Sequence, residues 1–157
     1  MTEDSAIGHL QKRKIEARVL IPFIAACRER FGDGPTREVV AATIRAQAAE
    51  EGATWATRFG SGVAGLRALA ETVWAGGGGL DIVVLDQTDD RLAFNVTRCR
   101  YAEFFRELGL ADLGALIHCS RDHAMVAGFN DGLELTRSQT IMEGGGCCDF
   151  RFRRRDQ

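Results

Sequence analysis

The chain has 157 residues, long enough for one domain with a substantial core, and its 45% hydrophobic and 27% charged composition is that of an ordinary soluble globular protein. A formal net charge of −2 argues against non-specific binding to nucleic acid, which needs a basic face to displace counterions. No apolar run approaches a membrane span, and the opening MTEDSAIGHLQKRK lacks the apolar core of a secretory signal, so a cytoplasmic protein without membrane contact is expected. Five cysteines form no disulfide framework, which fits a reducing compartment.

Residues 5–31 carry apolar side chains at helical spacing, among them Leu10, Ile15, Val19, Phe23 and Ile24. Pro22 inside this pattern predicts a kink or a break, and Gly32 a stop. The turn Gly32–Pro35 leads into a second helix running to about Phe59, weakened around Gly52. Ser61 is placed to cap a third helix ending near Trp74. The four glycines Gly76 to Gly79 lack the Lys-Ser/Thr of a phosphate-binding loop and read as a flexible connector.

The period then changes to two. Leu80–Asp86 and Arg91–Cys99 read as a hairpin, with Leu92, Phe94 and Val96 on one face of its second strand and Asn95, Thr97 and Cys99 on the other. Tyr101–Leu108 and Ala111 to about Ala127 read as two helices, Leu133–Met142 as a third strand and Cys148–Arg154 as a fourth. The basic run Arg151, Arg153, Arg154 and Arg155 reads as a solvated strand end and tail. The expected fold is α+β in a single domain. A helical scaffold over 1–75 packs on a small antiparallel sheet of about four strands, with a helical insertion between strands 2 and 3, and the segment 80–155 carries the site.

Four of the cysteines (Cys99, Cys119, Cys147 and Cys148) and two histidines (His118 and His123) lie in that second half. On a helix Cys119 neighbours Asp122 and His123, and His118 neighbours Asp122. A thiol needs a base or a cation to ionise at neutral pH, and a carboxylate orients an imidazole, so this is a candidate nucleophile, base and orienter set. The alternative is a core thiol with charged neighbours in solvent. Cys99 is a second candidate nucleophile at a strand-to-helix junction, where free backbone N–H groups can hold an anion; a packed thiol is its alternative. Zinc held by Cys99, Cys119 and Cys147 or Cys148, with a His or Glu143, is chemically reasonable, but no Cys-x-x-Cys pair supports it, and no cofactor is favoured.

The segments FNVTRCRYAEFFRELG, CSRD with GFN, and LTRSQTIMEG followed by CDFRFR resemble the L-2-amino-thiazoline-4-carboxylic acid hydrolase family, as does KIEARVLIPFI near the N-terminus. The resemblance covers most of the chain. It implies a bacterial ring-opening hydrolase and marks Asn95, Thr97, Cys99, Tyr101, Cys119, Arg121, Asp122, Asn130, Thr136, Thr140, Glu143, Cys148 and Asp149. Cys147 is an additional cysteine. The cysteine layout is also similar, more distantly, to vinyl-reductase-like ligand-binding domains.

The expected function is therefore hydrolysis of a non-peptide C–N bond in a small cyclic amidine or imine. Cys99 or Cys119 would attack the ring carbon, or a metal would activate water. Asp122 and His123 would move protons, Asn95, Thr97 and Thr140 would hydrogen-bond the ring, and Arg121 would hold a carboxylate. Tyr101 and Asn130 complete the expected substrate contacts. The alternative is a non-catalytic small-molecule sensor, with or without structural zinc. The expected partner is a small heterocycle, and the apolar first helix leaves room for a homo-oligomer.

Overall fold

The structure is a computed structural model, and it describes residues 7–155. Two long helices open the chain: α1, His9–Phe31, and α2, Asp33–Phe59. Gly32 between them has φ +86°, a left-handed conformation that favours glycine. α1 runs unbroken through Pro22, whose ring lies on the exposed side. Only one stripe of α1 enters the core, through Arg13, Ala17 and Ile24. Val19 and Phe23 remain 68% and 64% exposed, which leaves an apolar ridge on the surface.

Gly52 does not interrupt α2. It is the point where α2 meets α6, Arg121–Phe129. A Cβ on Gly52 would lie 2.1 Å from the Met125 carbonyl oxygen, and one on Gly128 would lie 2.0 Å from that of Ala49. The two helix backbones touch there, and only glycine permits it. What propensity reads as a weakness is a packing requirement.

The third helix is composite. α3, Val63–Leu69, passes into a π-helical turn at Ala70–Ala75, with Gly62 rather than Ser61 at its start. The following glycines form a tight passage, not a loose connector. Gly76 donates to Glu71 O at 2.8 Å, and a Cβ on Gly79 would strike the Tyr101 ring at 2.4 Å.

Four strands form one antiparallel sheet in the order β1-β2-β4-β3: β1 Leu80–Gln87, β2 Arg91–Cys99, β3 Leu133–Thr136 and β4 Cys148–Arg154. Between β2 and β3 lie α4, Arg100–Glu107, α5, Ala111–Gly114, a second π turn at Ala115–Cys119, and α6. The α+β architecture with its helical insertion thus matches the sequence reading. Leu92, Phe94 and Val96 sit opposite Phe152, Phe150 and Cys148 and form the apolar sheet face. The Phe94 and Phe150 rings stack at 5.0 Å.

The third strand is shorter than the alternation over Leu133–Met142 suggests. The Asp149 carboxylate accepts from Ser138 N at 3.0 Å, Gln139 N at 2.9 Å and Ser138 Oγ at 2.5 Å. These bonds pull residues 137–140 off the ladder into a loop, since a side-chain acceptor competes with the strand for backbone donors. Among the described residues no helix is long and apolar enough to cross a membrane.

Candidate functional site

The apolar sheet face and the helices enclose a cavity of about 60 Å3, room for roughly four waters. Cys99, Cys119 and Cys148 all reach it, together with Tyr101, His118 and Asp122. Two local irregularities create this convergence.

The first is a bulge in β2. Asp81 pairs with Arg98 but Ile82 pairs with Val96, so Thr97 has no partner in the register. A bulge re-aims the side chains beyond it. Cys99 consequently joins the buried face of Val96, while Thr97 is exposed and bonds the Asp81 carbonyl. Asn95 stays on the opposite sheet face and accepts from Arg151 Nη2 at 2.9 Å. Strict alternation would have kept Asn95, Thr97 and Cys99 together.

The second is the π turn at Ala115–Cys119, closed by Ser120 N donating to Ala115 O at 3.0 Å. The inserted residue changes the helical phase, as single π turns at ligand sites commonly do. His118, Cys119 and Asp122 line the cavity, whereas His123 is exposed outside it. Of the two histidines, it is therefore His118 that stands with the thiols. Its ring stacks on Tyr101 at 4.0 Å.

Asn130 lies at the end of α6, donating to Ser61 O at 2.8 Å and accepting from Gly132 N. Thr140 and exposed Glu143 bond each other in the loop before β4, at 2.6 Å. None of these lines the cavity, so the four proposed zinc ligands are not gathered. Among the described residues no three His, Cys, Asp or Glu side chains are arranged to hold a metal ion. The donor set does not fit zinc in this geometry.

The thiols differ in surroundings. Cys99 caps α4, and Ala102 N donates to its sulfur at 3.4 Å. Burial pushes the Cys99 thiol up, and the Ala102 and Tyr101 amides oppose that rise. Cys148 is pushed up to about 11 by burial, against one donor, Ile141 N at 3.2 Å. Burial drives Cys119 far up, the Asp122 charge and the neighbouring Cys99 and Cys148 add to the rise, and Arg137 opposes it. Among the three, Cys99 is best placed to carry negative charge.

Charged residues that no sequence spacing marks complete the walls. Arg137 pairs with Asp122, donates to Cys119 O at 3.3 Å and lies over the Phe150 ring at 5.4 Å. Burial raises the Asp122 carboxyl, with Arg137 acting against it. Glu51 on α2 accepts from Arg13 of α1 at 2.5 Å and from Arg121 of α6 at 2.8 Å. Burial would raise Glu51, but the two guanidiniums prevail and hold it below the usual carboxylate range. Trp55, Trp74 and Met125 supply the apolar wall.

Burial lowers His9 to about 4 and His118 well below its ordinary value, so both imidazoles are neutral at pH 7. The unfolded chain binds more protons than the folded one below about pH 6.5, so stability is complete above that pH and falls as pH drops. The expected loss through His9 alone is about 3 kcal/mol by pH 4. Asp122 acts with the opposite sign, since its raised carboxyl favours the folded state on acidification. Urea unfolding at pH 7 and pH 4.5 checks this: the midpoint falls with acidification, and His9→Gln reduces the fall.

The model of the L-2-amino-thiazoline-4-carboxylic acid hydrolase family matches residues 12–152, nearly the whole chain. None of the curated proteins matches. Among solved structures, the chain is similar to a trafficking protein particle complex subunit 3 from Naegleria fowleri, covalently bound to palmitic acid, with a TM-score of 0.51 and 11% identity. That likeness covers 91% of this chain and 97% of the other, and it speaks for the fold alone.

Proposed function

Because the chain belongs to the L-2-amino-thiazoline-4-carboxylic acid hydrolase family, we propose that it hydrolyses a non-peptide C–N bond in a small cyclic amidine, with Cys99 as the nucleophile. The observation that carries this reading is the position of the Cys99 sulfur, which caps α4 inside the cavity that also holds the neutral His118.

The sulfur adds to the amidine carbon as its proton passes to His118, the imidazole that lines the same cavity. The imidazolium gives that proton to the ring nitrogen, the exocyclic amino group gives a second as it becomes an imine, and the C–N bond breaks with the ring nitrogen leaving as an amine. The carbon is now bonded to Cys99. Water then attacks this carbon, losing a proton to His118, and the thiol leaves with that proton restored. The ring has gained the elements of water and the enzyme is unchanged.

Tyr101 assists as a donor. Burial raises its phenol far above neutral pH, so it keeps its proton, and its hydroxyl has no partner among the described residues. An unpartnered buried donor is available to developing charge on the ring. A substrate carboxylate would face Arg121, whose Nη1 makes only a 3.4 Å bond to Gln47. The Asp122–Arg137 pair ties the loop after β3 to α6 beneath Cys119.

The test is ring opening of 2-aminothiazoline-4-carboxylate by the purified chain, followed at the amidine absorbance. His118→Asn is expected to lower kcat by about 10²- to 10⁴-fold, the usual loss for a general base, with the fold unchanged by circular dichroism. An undiminished rate would remove His118 from the mechanism.

A further inference from the structure

A second, larger recess lies on the other side of the cavity wall. It is a groove of about 560 Å3 between α1, α2, α4 and the π turn that ends at Cys119, within the range of small-molecule sites. Its body is apolar, built from Leu20, Ile44, Phe104, Phe105 and Ile117. Arg13, Tyr101, His118 and Arg121 line both recesses and form the partition between them.

Two features of the partition and rim call for a ligand. Among the described residues the Tyr101 hydroxyl and Arg13 Nε are buried without a partner, in residues only 3% and 8% exposed. Such groups each cost free energy that an acceptor would recover. The charges are also unbalanced. Glu16 and Glu51 pair with Arg13 and Arg121, while Lys14, over the Phe104 ring at 5.4 Å, has no carboxylate partner among the described residues.

We infer that groove and cavity are two compartments of one binding site, and that the ligand is a monoanion with an apolar arm of several carbons lying in the groove. Its carboxylate sits at the partition, against Arg13 and Arg121, with Lys14 at the rim of the groove, and its reactive ring faces Cys99. The ring end rests on the function proposed above; the arm and the anion do not. The substrate class is narrowed accordingly, to cyclic amidines or imines that carry a carboxylate and an alkyl or aryl substituent.

The probe is 4-phenylbutyrate, titrated calorimetrically into the full chain, with 4-phenylbutylamine and acetate as controls. One phenylbutyrate is expected to bind per chain, roughly tenfold or more tighter than either control, since a charge-assisted bond and the buried arm each contribute. Lys14→Glu, a rim change that leaves the core intact, is expected to weaken it about tenfold. Leu20→Trp, which fills the groove, is expected to abolish it, and bound phenylbutyrate is expected to slow alkylation of Cys99. Absence of saturable binding overturns the inference, as does binding that ignores the ligand's charge. So does a stable dimer that Lys14→Glu dissociates, because a second copy would then occupy the groove. Cys99→Ala is expected to bind phenylbutyrate as the parent does. If phenylbutyrate binds and no amidine is turned over, the hydrolase reading fails and the site stands.

Discussion

Cys99→Ala is expected to lower ring opening by about 10⁴-fold or more while leaving the circular dichroism spectrum and urea midpoint close to those of the parent. The size follows from the chemistry: without the sulfur there is no covalent intermediate, and water must attack an unactivated ring. The fold survives because the loss is one small buried atom and a weak cap, with Ala102 N at 3.4 Å as its donor. Cys119→Ala separates the candidates. Cys119 lines the same cavity, but burial and Asp122 hold its thiol protonated, so its loss is expected to cost far less activity. Measuring kcat/KM for both variants decides it. A dead Cys119→Ala beside an active Cys99→Ala would reverse the assignment.

The second large effect is on stability. Gly52→Val is expected to destabilise the protein by about 3 kcal/mol or more, because overpacking at a rigid contact forces the backbone to move. Its Cβ would stand 2.1 Å from the Met125 oxygen and 2.8 Å from Phe129 N, both main-chain atoms that cannot swing aside. Prising α6 from α2 would also disturb the Arg121–Glu51 pair and the cavity wall. Thermal unfolding measures the loss. As a control, Gly34→Ala, which meets nothing within 4 Å, is expected to change little. Equal midpoints for the two variants would show that the helices can separate without cost.

These two residues also mark the limits of legibility. Alternation in β2 and β4 identifies the buried sheet face correctly, because Leu92, Phe94, Cys148, Phe150 and Phe152 obey a local period of two. The same rule fails two residues later. Nothing in the letters of β2 announces the bulge at Thr97, since it depends on pairing with β1, and so Asn95 and Thr97 part from Cys99. The π turn likewise breaks the i, i+3, i+4 rule, so that His118 stands with Cys119 in the cavity while His123 stays outside. Gly52 reads as a flaw in a helix because the helix that requires it comes some seventy residues later.

Long-range charge pairing was equally silent. Arg13, Glu51 and Arg121 are scattered over three helices and carry no spacing signal, yet they build one end of the cavity. Arg137 lies in the LTRSQT segment, which reads as strand, and nothing in that local pattern points to a carboxylate fifteen residues earlier. The capture of Ser138 and Gln139 by Asp149 ends that strand and leaves Arg137 beside Asp122.

The most direct test of the account is to trap the covalent intermediate. The purified chain is mixed with 2-aminothiazoline-4-carboxylate, quenched in acid within the first turnover, and analysed by intact mass and peptide mapping. The account predicts a mass increase confined to the peptide that carries Cys99 and absent in Cys99→Ala. Product formation with no adduct, at a rate that Cys99→Ala shares, would contradict it.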